Sequence, residues 1–189
     1  MTRDFDGIKK YEDLLRGYSK PWCLGGGWAI DVFVGHLSRP HADVDIVIWR
    51  EDQSLFRKQF KTWEWQTFTH KQPRPWHEDE FLQLPEHNAF GRQGSRELEM
   101  LMLEKEDDEW FFRRNSHIRM KALNVMVPTP FGWNVLNPAI ALLFKSNRLD
   151  EKDHSDFEHV LPFMSDVDRK WLKNSLNVMD TQHIWIRRL

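Results

Sequence analysis

The chain has 189 residues, with 27 basic and 29 acidic side chains and a formal charge of −2. That length suits one sizeable domain, or one domain with a small helical appendage, and the lack of a long basic run argues against nucleic acid as the main partner. Cys23, the single cysteine, excludes an internal disulfide and a thiolate metal cluster; without a signal-peptide pattern or an apolar run near 18 residues, the chain reads as soluble and cytoplasmic.

Phe5, Ile8, Tyr11, Leu14 and Leu15 fall at helical spacing, and Gly17 is placed to end that helix. The apolar run 21–24 predicts a short buried strand. Three glycines follow, Gly25, Gly26 and Gly27, and then 28–35 reads as a helix of about two turns closed by Gly35. Residues 36–42 are a loop. The stretch 43–49 is a strand whose Val44, Ile46 and Ile48 share one face while Asp43, Asp45 and Val47 share the other. Residues 52–60 look like a capped helix.

From 63 to 95 the pattern is weak, with short aromatic pieces broken by Pro and Gly, as in meandering strands and long loops. The stretch 97–104 is a second strong strand, with Glu97 and Glu99 on one face beside Leu101 and Leu103. Residues 109–114 and 123–128 suggest further strands. Then the character changes. Asn137 as cap and Pro138 at the first helical position start a helix over 137–147, and two more capped helices follow. The expected fold class is α+β: a small mixed sheet flanked by helices over residues 1–130, with a helical segment over 131–189 packed on it. Ten tryptophans point mainly to packing, with a stacking surface for a planar ligand as the other use.

The glycines and the aspartates make a site. Asp43 and Asp45 project their carboxylates the same way and, left bare, repel each other, which raises one pKa. A divalent cation removes the repulsion, and hard oxygen ligands suit Mg²⁺. A third carboxylate from an adjacent strand, Glu99 or Glu97, would complete a site for one or two metals, the arrangement that supports in-line phosphoryl displacement. A glycine loop entering a helix N-terminus offers backbone N–H groups to an anion. It is neither G-x-G-x-x-G nor G-x-x-x-x-G-K-[ST], so neither a Rossmann nor a P-loop reading fits.

Gly26, Gly27, Trp28, Ala29, Asp31, Arg39, His41, Asp43 and Asp45 together form a pattern that resembles the signature of the DNA polymerase beta-type nucleotidyltransferases. It is most similar to the branch holding the aminoglycoside and lincosamide nucleotidyltransferases. The stretch 98–102 resembles the strand bearing that family's third carboxylate, which falls on Glu99, where many relatives carry aspartate. Residues 142–146 and 151–157 resemble C-terminal stretches of the same branch. Residues 51–95, where acceptor specificity would sit, match nothing useful.

The resemblance implies that Asp43 and Asp45 bind Mg²⁺, and that Glu99 shares a metal or takes the acceptor hydroxyl's proton. It implies that Gly26 and Gly27 hold the β,γ-phosphates of ATP or another nucleoside triphosphate. Lys145 would neutralise phosphate charge, or be a solvated helix lysine. Arg39 would contact phosphate or pair with Asp31; His41 would orient the loop or act as a base; Asp153 would cap a helix or touch substrate. The set His154, Asp156, Glu158 and His159 has the wrong spacing for zinc on one helical face. The implied reaction transfers AMP from ATP to a hydroxyl of a small acceptor, with release of pyrophosphate. A toxin–antitoxin-type enzyme acting on a protein or tRNA, and a non-catalytic nucleotide-binding module, are the rival readings.

Overall fold

A computed structural model describes residues 5–189. The first helix, α1 (Asp6–Leu15), buries Ile8, Tyr11 and Leu15, a stripe at helical spacing that docks it on the core. The strand β1 (Trp22–Leu24) leads directly into α2 (Gly26–Val34), which is capped by Gly25 at its start and by Gly35 in the left-handed conformation at its end. The sequence places the start of this helix two residues late. Gly26 and Gly27 are not a free loop but its first turn. Its residues Trp28–Val32 are buried, as expected for a helix apolar on all sides.

After the loop comes β2 (Asp45–Trp49), buried on both faces from Ile46 onward. Then α3 (Gln53–Gln59) follows, with Asp52 at its N-cap position making no capping hydrogen bond; that carboxylate lies 3.5 Å from Lys20 Nζ instead. The weakly patterned region resolves into β3 (Glu64–Thr69), β4 (Gln72–Pro75) and β5 (Asn88–Gln93). The long strand β6 (Arg96–Glu106) is followed by β7 (Glu109–Phe112), β8 (Asn115–Lys121), β9 (Met126–Pro128) and β10 (Asn134–Leu136). Three helices complete the chain: α4 (Pro138–Lys145), α5 (Glu151–Val160) and α6 (Asp166–Met179). Asn137 caps α4 by accepting from Ala139 N, and Ser165 caps α6 by accepting from Asp168 N, the sequence-local devices that fix both helix starts.

Strand order is β4-β3-β5-β6-β2-β1-β10-β9, with β7 and β8 extending from the far end of β6. The pairs β2–β6 and β1–β10 are parallel and the others antiparallel. The sheet thus takes a strand after residue 130, and α2, α4, α5 and α6 pack together beside it. Eight tryptophans, among them Trp28, Trp76, Trp110 and Trp185, lie in the hydrophobic core; packing accounts for them. No helix among the described residues is long and apolar enough to cross a membrane.

Candidate active site

Backbone pairing builds the site before any side chain enters it. In the parallel register of β2 on β6, Asp45 sits beside Glu99. The Glu99 amide donates to Val44 O at 2.9 Å and the Gly25 amide to Asp45 O at 2.8 Å. The Trp28 indole N–H donates to Asp43 O at 2.9 Å, fixing the residue just before the strand. As a result one carboxylate oxygen from each of Asp43, Asp45 and Glu99 falls within 4.8 Å of the others. Asp43 is exposed while the other two are half-buried. Glu97, two residues earlier, pairs instead with Arg92 at 3.5 Å in the open.

The electrostatics are unfavourable without a cation. Burial, then the charges of Glu99 and Asp43, push the Asp45 carboxyl up to about 8. Burial also raises Glu99, with Asp43 adding to the effect against a hydrogen bond from Asn88. Asn88 Nδ2 donates to Glu99 Oε1 at 2.6 Å, so one oxygen of Glu99 has a fixed partner. Three hard oxygen donors in mutual repulsion fit a divalent cation such as Mg²⁺.

Gly26 is required at the helix start. Its φ is +54°, and a Cβ there would collide with Asp45 Oδ2. Gly26→Ala should therefore cost more than tenfold in turnover while the protein still folds, because it displaces a carboxylate from the cluster and strains the backbone. Wild-type kinetics in that variant would show that the close approach is incidental. A Cβ at Gly27 would meet His41 and Arg39, which explains the second glycine. The amides of both residues belong to the first turn, where no i−4 carbonyl exists to receive them.

Arg39 and His41 lie against this turn, in an ion-pair network that also includes Lys145. His41 Nδ1 lies 3.2 Å from Arg39 Nη1 and its Nε2 2.7 Å from Asp31 Oδ2. A guanidinium only donates, so Nδ1 accepts and Nε2 carries the proton toward Asp31; both ring nitrogens are in use. Asp31 is fully buried, yet hydrogen bonds from His41 and Ser38 outweigh that burial and hold its carboxyl below the usual range. Arg39 pairs not with Asp31 but with Asp156, at 3.1 Å. Lys145 is no solvated lysine: it reaches Asp156 at 2.8 Å and Asp153 at 3.1 Å. Asp153 is buried in the first turn of α5 and makes no cap. The set around His154 has separate partners: Trp185 donates to His154, and Glu158 binds Arg188.

Two clefts open on the carboxylates. The larger, about 480 Å³, is lined by Gly26, Glu99, Lys145 and four cations the sequence did not single out: Arg113, Arg114, Arg148 and Lys152. The smaller, about 320 Å³, is lined by Asp43, Glu64, Gln66, Phe90, Glu97 and Glu99. Phe90 and Glu99 belong to both. A cationic cleft and an acidic one meeting at a carboxylate cluster is an arrangement for joining two unlike ligands.

The sheet with its glycine-started helix and carboxylate cluster is a nucleotidyltransferase fold. The family profile of the aminoglycoside-2''-adenylyltransferases matches residues 8–110, and the chain belongs to that family. Among solved structures it is similar to the lincosamide antibiotic adenylyltransferase LnuA bound to lincomycin, with TM-score 0.60 and 18% identity over 85% of this chain and 98% of that one. It is also similar to the antibiotic-resistance factor ANT(2'')-Ia in solution, with TM-score 0.62 and 12% identity over 96% and 93% of the two chains. The crystal structure of ANT(2'')-Ia with adenylyl-2''-tobramycin gives 0.60 at 12% identity, over 94% and 99%. At these identities the likeness shows the fold. No curated protein sequence matches the chain.

Proposed function

We propose that the protein transfers AMP from ATP to a hydroxyl of a small acceptor of the aminoglycoside or lincosamide kind, releasing pyrophosphate. The observation that carries this reading is the convergence of Asp43, Asp45 and Glu99 where a cationic cleft meets an acidic one. Membership of the adenylyltransferase family supports it, and so do the lincomycin and the adenylylated tobramycin held by proteins of this fold.

In this reading Asp43, Asp45 and Glu99 hold Mg²⁺, which supplies charge neutralisation at the phosphoryl group and lowers the barrier to attack by an oxygen. The triphosphate lies in the larger cleft, against the amides of Gly26 and Gly27. The acceptor lies in the smaller one, whose Glu64, Gln66 and Phe90 come from the region with no sequence signature. Asn88 orients Glu99, leaving its second oxygen for the metal or for the acceptor hydroxyl's proton. Arg39 and His41 hold the loop that carries Asp43, and Lys145 lines the larger cleft with its charge paired to Asp153 and Asp156.

Glu99→Gln should lower turnover on the order of a hundredfold or more, since it removes a metal-facing charge, whereas Glu97→Gln should change it little. The reverse order, measured by steady-state kinetics, would show that the third carboxylate has been misplaced by one pleat. The reading as a whole is tested by pyrophosphate release from Mg-ATP with a panel of aminoglycosides and lincosamides, beside tRNA. Release that depends on a small acceptor supports it. Release with tRNA alone, or with none of these, overturns it.

A further inference from the structure

The larger cleft holds more positive charge than its own acids can balance. Arg39 and Lys145 are matched by Asp156 and Asp153 through the ion pairs described above, so those four side chains sum to zero. The Arg148 guanidinium has no hydrogen bond or ion pair among the described residues, yet Arg148 lines the cleft on the segment between α4 and α5. Arg114, from the turn between β7 and β8, lines the same cleft; it donates to Phe144 O at 3.2 Å and lies over the rings of Phe112 and Phe144, which fixes the guanidinium without neutralising it.

The cations line one cleft and act on one another. Glu99 feels the charge of Arg148, Arg114 feels Arg148, and Arg113 feels Arg114. Burial lowers both Arg113 and Arg114, and the neighbouring guanidinium adds to it in each case. Like charges gathered at one cleft repel one another, and an anion that joins them removes that repulsion. An anion that meets several of these cations at once carries several charges itself.

We propose that Arg148 and Arg114, from two separate segments lining the larger cleft, clamp the polyphosphate tail that departs as pyrophosphate. They, rather than Lys145 and Arg39, bind the triphosphate charge. This rests on the nucleotidyl-transfer reading above. The two arginines come from elements far apart in sequence, so the clamp forms only in the folded chain. Guanidinium groups suit the task because each can donate two parallel hydrogen bonds to a phosphate.

The test is calorimetric binding of Mg-ATP and of Mg-pyrophosphate to the wild-type protein and to Arg148→Gln, with Arg114→Gln as the second variant. Arg148→Gln is decisive, because it removes no contact with the rest of the fold and its melting curve should match wild type. The expected result is a loss of about 10- to 100-fold in affinity for both ligands, the size of one or two charge-assisted hydrogen bonds. Arg148→Lys should recover part of it. If wild type binds both ligands and Arg148→Gln binds them equally well, the clamp is overturned and the nucleotidyl reading stands. If wild type binds no Mg-nucleoside triphosphate, both fall.

Discussion

Asp45→Asn should reduce nucleotidyl transfer below about a tenth of wild-type turnover and, in the same protein, raise the melting temperature of the metal-free form at pH 9. The first effect follows from losing one of three charges that would hold Mg²⁺, an interaction worth several kcal/mol at the transition state. The second follows from linkage. The folded protein raises Asp45 from an ordinary value of 3.8 to about 8. Between those values the unfolded chain releases the proton and the folded chain keeps it. The stability contributed by the protonated group is therefore complete below pH 3.8 and is lost as the pH rises through about 8. Asparagine has no proton to lose, so its advantage in chelator should be larger at pH 9 than at pH 5. Melting curves at the two pH values, beside a turnover assay, check both halves. An Asn variant that is less stable at pH 9 and still active would mean that these carboxylates neither strain the fold nor bind the metal.

Mg-ATP at about 100 times its dissociation constant should raise the wild-type melting temperature by about 5–10 °C without any acceptor. The ligand stabilises the native state by about 2.7 kcal/mol at that excess, and each kcal/mol moves the transition of a domain this size by roughly 2–4 °C. The metal is essential to the effect. A triphosphate approaching Asp43, Asp45 and Glu99 meets three carboxylates within 4.8 Å of one another, and only a cation turns that encounter attractive. ATP with chelator should therefore shift the curve little, and the double variant Asp43→Asn with Asp45→Asn should lose the metal-dependent part. A wild-type curve unmoved by every Mg-nucleoside triphosphate at millimolar concentration would remove the binding site altogether.

The parts of this protein legible in the sequence are those specified over a few residues. Asn137 with Pro138 and Ser165 with Asp168 mark helix starts by local hydrogen bonds, and the apolar runs of β2 and β6 announce buried strands. The strand β8 escaped because only Ile118 and Met120 of its seven residues are buried, too few to set up an alternation. The strand β10 is three residues long and is ordered by its partners β9 and β1. In the site, Asp43 and Asp45 are visible from their spacing, while the choice of Glu99 over Glu97 depends on a register between strands that periodicity alone does not contain. The cationic wall was illegible for another reason. Whether Lys145 or Arg148 has charge to spare depends on Asp153 and Asp156, which bind the one and not the other. Arg39 finds its acid 117 positions along the chain.

The direct pairing of β2 with β6 separates what must stay fixed from what can vary. Asp45 and Glu99 are neighbours across a strand boundary, although residues 46–98 run between them in the chain. The excursion from 50 to 95 can thus lengthen, shorten or change its side chains while the carboxylates keep their spacing, because hydrogen bonds within the sheet set that spacing. Its ties to the cluster lie in β5, where Asn88 donates to Glu99 and Phe90 pairs with Glu99 in the sheet. Grafting experiments have a natural boundary here: exchange the 50–86 excursion, keep Asn88, and the molecule should accept a new acceptor without relearning how to hold a nucleotide.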